Sequence, residues 1–224
     1  MKIQLAGLLA SVSKAKPLVA AGALSLVALG AQANLIQNGS FEATVQAPGT
    51  FSISNSLAGG WAGLPNIELR NNLFGSAQDG SNFVELDTTF NSGITQTFNI
   101  TGAGNYVLSF WYQARPGTAF NTNGLNAIVE SSTGSLLLDS SIRPIANSPW
   151  QQFSQSFTAT TAGAYTLSIF AIGRSDSLGT AVDSVSVVPE PGTYALMLAG
   201  LGVVGWMARR RKQVGGLRAE PMPA

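Results

Sequence analysis

Residues 34–188 predict an all-β fold, an antiparallel β-sandwich or jelly roll, on three observations. Short apolar alternations recur throughout, broken by Gly, Ser, Thr and Asn, and no useful run has the 3.6-residue period of a helix. An internal repeat spaces Thr95-Gln96-Thr97-Phe98 and Ser154-Gln155-Ser156-Phe157 by 59 residues, and Gly104, Tyr106, Leu108, Ser109 and Arg115 match Gly163, Tyr165, Leu167, Ser168 and Arg174 at the same offset. The segment also has 155 residues, enough for one core that buries roughly 68–70% of the unfolded surface.

Period-two alternation places strands at 51–54, 67–70, 82–87, 94–100, 106–113, 127–130, 151–157, 165–172 and 181–187. Tyr106, Leu108, Phe110 and Tyr112 share one face, as do Tyr165, Leu167, Ile169 and Ala171. Each copy of the repeat reads as a strand, a glycine turn and a second strand, so two equivalent hairpins are expected. Trp61, after two glycines, and Trp150, after Pro149, are expected to plug the core at strand entries.

Composition excludes several functions. Charged residues are 10% of the chain and hydrophobic residues 45%, which is not a disordered composition. The net charge of +1 hides an uneven distribution: residues 34–188 hold nine acids, four Arg and no Lys. Such a segment does not bind nucleic acid, which requires clustered Lys and Arg. Without Cys or His the chain has no disulfide, no Cys nucleophile, no imidazole ligand and no Ser-His-Asp triad.

The two ends carry sorting information. Lys2, Lys14 and Lys16 precede an uncharged run over 18–30, and Ala31-Gln32-Ala33 follows as a small-x-small cleavage site. These are the parts of a secretory signal peptide, residues 1–33, with its signal helix; signal peptidase is the implied partner and Asn34 the new terminus. An uncleaved anchor is the alternative. At the other end Val188-Pro189-Glu190-Pro191 leads into an apolar run over 194–208, followed by Arg209, Arg210, Arg211 and Lys212. The two prolines predict an extended, exposed segment open to a processing enzyme. Fifteen helical residues span roughly 22 Å against a hydrocarbon core of about 30 Å, a gap that Trp206 and snorkelling Arg side chains can close. A single transmembrane helix is expected, with the basic cluster cytoplasmic and residues 34–188 on the far side. Gly200-Leu201-Gly202-Val203-Val204-Gly205 matches a dinucleotide fingerprint, but the chain stops at Ala224, without the strand that such a unit needs.

The order of Val-Pro-Glu-Pro, apolar run and basic cluster resembles the PEP-CTERM sorting signal, here residues 189–212 with Val188 before it. That resemblance implies an exported bacterial protein, held in the inner membrane by its C-terminal helix and then passed by an exosortase to the cell surface or extracellular matrix. One departure is the short tail, 213–224, beyond the basic cluster. A simple C-terminal anchor is the alternative.

Within 34–188, Asn34-Leu35-Ile36-Gln37-Asn38-Gly39-Ser40-Phe41-Glu42, Gly60-Trp61, Asp79 to Asp87, Gln96-Thr97-Phe98, Tyr106 to Trp111 and Asp183-Ser184-Val185-Ser186-Val187 come in one order. That order resembles the galactose-binding-like jelly rolls of bacterial carbohydrate-binding modules. The resemblance implies the fold, and a non-catalytic role in binding or organising exopolysaccharide or another glycan. A purely structural matrix or adhesion protein is the rival, and a polysaccharide hydrolase the third reading.

Candidate site residues follow from chemistry. Trp111 lies on the strand face opposite Tyr106 and Leu108 and is a candidate platform for a sugar ring. Glu68 with Arg70, and Glu85 with Asp87, are two apart on single strands and are candidates for a ligand groove; parallel neighbours do not flank a glycosidic bond as a hydrolase pair must. Asp183 alternates with Ala181, Val185 and Val187, so a carboxylate is expected on an apolar face, where it needs hydrogen bonds or a metal. Resemblance to the carbohydrate-binding modules implies one structural calcium ion at Glu42 and Asp183; backbone hydrogen bonding of Asp183 is the alternative.

Overall fold

The computed structural model describes residues 33–190, 192 and 200–207. The chain divides into two units, Met1–Ala31 and Gln32–Ala224. The expected signal helix and Ala31 therefore lie outside the described residues, as do Pro191, the start of the apolar run at 194–199, Arg209, Arg210, Arg211, Lys212 and the tail at 213–224. Ala33 is exposed, and residues 200–207 form an exposed helix that carries Gly200, Gly202 and Gly205. Among the described residues no helix is long and apolar enough to cross a membrane.

Among the described residues ten strands make the fold: β1 Phe51–Leu57, β2 Trp61–Asn71, β3 Asn82–Glu85, β4 Gly93–Ile100, β5 Gly104–Gln113, β6 Leu125–Ser131, β7 Leu136–Ile142, β8 Gln151–Ala159, β9 Gly163–Ala171 and β10 Ala181–Pro189. Every pairing is antiparallel, in the order β7-β6-β9-β4-β2-β3-β10-β5-β8, with β1 on the edge of β2. β2 serves both layers. Its Ala62 and Gly63 pair with β4, while Glu68 to Asn71 pair with β3. One layer is thus β7-β6-β9-β4 and the other β2-β3-β10-β5-β8, and the outer strands β7 and β8 approach closely enough for Ser140 Oγ to donate to Gln155 Oε1 at 2.6 Å.

The alternation of the sequence explains the core. Tyr106, Leu108 and Phe110 of β5 are buried, as are Tyr165, Leu167 and Ile169 of β9, and they meet Leu69, Val84, Leu125, Val129 and Val182 in one apolar cluster. Burying each large side chain contributes about 1.5–3 kcal/mol. Trp61 is in this core, packed on Phe41 with its indole N–H on the Asn38 carbonyl. Trp150 is not: it is half-buried on the outer side, edge-on to Phe83, with its N–H on the Ser76 carbonyl.

Three expectations are corrected. The repeat does not form two hairpins: β4 pairs with β9 and β5 with β8, each strand taking its partner from the other copy. The links β4–β5 and β8–β9 are arches between layers, each pinned by an equivalent bond, Tyr106 Oη to the Gly102 carbonyl and Tyr165 Oη to the Thr161 carbonyl, both 2.8 Å. An arch lets both strands of a copy turn their apolar faces inward from opposite layers. Second, β7 was not anticipated, because only Leu138 of its seven residues is buried and the strand shows no apolar alternation. β2 also begins six residues earlier than the apolar signal, through Pro65, over a stretch in which only Trp61 is buried. Third, Asp183 does not share a face with Val185 and Val187. A bulge between Asp183 and Ser186, with Ser184 at φ 51°, sends Val182, Val185 and Val187 into the core and Asp183 to the other side.

The first residues of the domain are tied to its last strand. Asn34 Oδ1 accepts the Val187 N–H at 3.0 Å, Leu35 N–H donates to the Val187 carbonyl, and Val185 N–H donates to the Gly39 carbonyl. Only glycine fits at 39, since a Cβ there would collide with the Val185 carbonyl.

Candidate functional site

The side of β2, β3, β10 and β5 turned away from the core carries the chemistry. Ile67, Leu69 and Val84 point inward, so Glu68, Arg70, Phe83 and Glu85 point outward. Pairing then aligns Ile53, Glu68, Glu85, Ala181 and Gln113 across five strands, with Phe51, Arg70 and Phe83 in the next row and Asp183 opposite Trp111. Glu68, Arg70 and Glu85 are nevertheless buried, because loops fold over them.

Beneath the loops is a charge quartet. Arg70 binds Glu68 Oε1 through Nε at 2.8 Å and Nη2 at 2.7 Å, and reaches Glu85 Oε2 through Nη1 at 2.7 Å. Arg115 Nη1 meets Glu85 Oε1 at 2.9 Å, where the Gly179 N–H also donates at 2.8 Å. Two acids and two guanidiniums leave the cluster neutral. Burial pushes the Glu68 and Glu85 carboxyls above their ordinary range, and Arg70, then Arg115, oppose it. Phe74 lies on top, its ring 5.2 Å from the Arg70 guanidinium carbon and 4.5 Å from that of Arg115. It is 59% exposed and held at φ 59°, a left-handed conformation uncommon outside glycine.

Of the expected site residues, Glu68, Arg70 and Glu85 therefore come together, but their polar atoms are taken up by one another and by Arg115, which leaves them little surface for a ligand. Asp87 does not join them. β3 ends at Glu85, Leu86 enters the core, and Asp87 turns to the segment before β10, where its Oδ2 accepts the Asp176 N–H at 2.9 Å. Its carboxyl is raised by burial, against hydrogen bonds from the backbone of Asp176 and Leu178. Trp111 is half-buried on the outer face, beside Asp183 and Gln152. Sequence reasoning missed Phe74, an isolated aromatic in a loop. It noticed Arg115 only as the repeat partner of Arg174, whose exposed side chain makes a lone 3.9 Å contact with Asp176.

Glu42 and Asp183 grip one loop from two sides. Glu42 Oε1 accepts the N–H groups of Ser81 and Asn82 at 2.8 and 2.6 Å. Asp183 Oδ2 accepts those of Gln78 and Asp79, and its Oδ1 that of Ser184. Burial still pushes the Asp183 carboxyl up to about 7 against those donors. The donor set here is oxygen-only, which suits calcium. Asn82 Oδ1, beside Glu42, is buried without a partner and is free for a cation, whereas Asp183 already has three donors; among the described residues no three His, Cys, Asp or Glu side chains gather around a common point.

A cleft of about 600 Å³ lies elsewhere, along the seam of β7 and β8. Its polar lining is Ser and Thr, and the Phe157 and Tyr165 rings beside it are buried in the core, so it presents neither an aromatic face nor a charge. The Phe74 face has both.

The sorting motif begins inside the sheet. Val188 and Pro189 pair with Val107 and Tyr106, and the Glu190 N–H donates to the Asn105 carbonyl at 2.9 Å. The exposed segment expected at Val188-Pro189-Glu190 is instead half-buried, with Val188 and Pro189 in β10 and Glu190 just past its end.

Among solved structures, TmCBM61 in complex with beta-1,4-galactotriose is 18% identical, covers 70% of this chain and 99% of its own, and gives a TM-score of 0.49. A family 16 carbohydrate-binding module is 18% identical over 69% and 99%, with a TM-score of 0.49. A family 35 carbohydrate-binding module from Clostridium thermocellum is 20% identical over 61% and 90%, at 0.40. No curated protein matches the chain. The C-terminal segment does have a match: residues 187–212 are a PEP-CTERM protein-sorting motif.

Proposed function

We propose that this chain is an exported, non-catalytic module that binds exopolysaccharide or a related glycan on the outward face of β2, β3, β10 and β5. Phe74 carries the reading. A large apolar ring is held in a strained backbone conformation, more than half exposed, above two guanidiniums that are locked in place beneath it. Strain of that kind persists where a side chain must be presented. Trp111 lies on the same face as a second platform, with Gln152 and Gln113 beside it. An aromatic face with polar groups at its edge suits a pyranose ring. Catalysis is a poor fit, because Glu68 and Glu85 are cross-strand partners that share one arginine and do not face each other across a gap.

The sorting motif supplies the rest of the reading: export after signal-peptidase cleavage, a membrane-held intermediate, exosortase processing, then cell surface or matrix. A structural calcium ion at Glu42, Asn82 and Asp183 belongs to the same proposal.

Glycan-array binding by the full chain in detergent, with the host's own exopolysaccharide included, tests it. Binding should fall about tenfold or more in Phe74→Ala and in Trp111→Ala, the scale of one buried anchor residue. Absence of binding, or affinity unchanged in both variants, favours a purely structural matrix role. Release of products from the polysaccharide would make the chain a hydrolase.

A further inference from the structure

Where β3 ends, three buried oxygens have no hydrogen-bond donor. Asp87 bridges to Asn91 across a short turn, and the segment between β9 and β10 folds onto both. Asn91 Nδ2 donates to the Gly173 carbonyl at 2.9 Å, its backbone N–H donates to Ser175 Oγ, and Thr122 Oγ1 donates to Asp176 Oδ2 at 3.0 Å. With the Asp176 N–H on Asp87 Oδ2, and the backbone of Leu178 and Ser177 also turned to that carboxyl, these bonds account for one polar end of each side chain. Asp87 Oδ1, Asn91 Oδ1 and Asp176 Oδ1 are buried and have none.

Asp87 is fully buried, and an orphaned acceptor costs about 1–3 kcal/mol, more when charged. Flipping the Asn91 amide does not help, because its oxygen would then face the Gly173 carbonyl. Charge makes the arrangement worse: the Asp87 and Asp176 carboxylates repel, and Glu68 is near enough to Asp87 to feel it. Among the described residues Arg174 alone makes an ion pair with either aspartate, at 3.9 Å, and it does so on the Asp176 oxygen that Thr122 already uses. A water molecule offers two protons for three acceptors and leaves the like charges facing each other. A divalent cation answers all three oxygens and both charges.

We propose that Asp87, Asn91 and Asp176 form a divalent-cation site, suited to calcium, that fastens the 173–179 segment to the end of β3. Two carboxylates and an amide oxygen are hard ligands of the kind calcium takes, with backbone carbonyls or water completing the shell. This site is separate from that of Glu42 and Asp183. Its segment also gives its Gly179 N–H to Glu85 and its Ser177 carbonyl to Arg115, so an ion here would brace the floor under Phe74.

Calorimetric titration of calcium chloride into the chelator-treated full chain in detergent tests the site. Asp176→Asn should lose one equivalent of calcium relative to the wild type, and Asp183→Asn should keep that equivalent. Asn91→Asp, which adds a third carboxylate, should bind several-fold more tightly, and its melting temperature should fall in chelator and recover with calcium. If Asp176→Asn does not fold, Asn91→Asp decides. An unchanged stoichiometry in folded Asp176→Asn, no calcium bound by the wild type, or no tightening in Asn91→Asp overturns the assignment.

Discussion

Arg70→Met removes the centre of the buried charge quartet, and the structure says what each carboxylate then has left. Glu68 loses the Nε and Nη2 contacts at 2.8 and 2.7 Å and is left with only the longer-range attraction of Arg115, whereas Glu85 keeps Arg115 at 2.9 Å and the Gly179 N–H at 2.8 Å. Breaking a buried pair by taking one partner costs about 3–5 kcal/mol, nearly all of it the uncompensated charge left behind. At roughly 2–4 °C per kcal/mol for a domain of this size, the melting temperature should fall by about 6–20 °C near neutral pH. Arg115→Met is the control. It leaves Glu85 paired to Arg70 and should cost only about 1–2 kcal/mol. The loss should also depend on pH. With Arg70 gone, burial acts on Glu68 opposed only by the more distant Arg115, so its folded pKa rises further above the unfolded value of about 4.3. A raised carboxyl contributes stability that is complete below the unfolded pKa and is lost as pH rises through the folded one. The gap between wild type and Arg70→Met should therefore be smaller at pH 4.5 than at pH 7.5 in thermal unfolding followed by circular dichroism. An equal gap at both pH values, or a loss no larger than that of Arg115→Met, would refute the reasoning.

Two further outcomes are expected. In chelator, the Asp183 carboxyl, held near 7 in the fold against 3.8 as a free side chain, contributes stability below about pH 4 that disappears as pH rises to about 7, at most about 4 kcal/mol; denaturant titrations should show this slope in the wild type and its absence in Asp183→Asn. Mass spectrometry of the protein from cells with an exosortase should find a product without residues 194–212 that keeps β10, since Val188, Pro189 and the Glu190 N–H are bound into the sheet; a product that retains 194–212 would refute the processing.

By itself the sequence determined what is local. The period-two alternation of Tyr106, Leu108 and Phe110, and of Tyr165, Leu167 and Ile169, set both the strands and their inner faces, because a strand has only two sides and one must leave water. The sorting signal was equally legible, since its motif, apolar run and basic cluster are contiguous and need no fold to be recognised. Strand partnership was not legible. The repeat reads equally well as two hairpins or as two arches, and the choice of β4 with β9 and β5 with β8 joins residues 39 to 77 positions apart, on which neither strand's own pattern bears. The site was decided the same way. Alternation put Glu68, Arg70 and Glu85 on a solvent-side face, and only the loops bearing Phe74 and Arg115 turned that face into a buried quartet. One left-handed residue, Ser184, moved Asp183 from the apolar side to the polar one, because an extra residue in a ladder inverts every side chain beyond it, and no periodicity in the sequence announces where that residue falls.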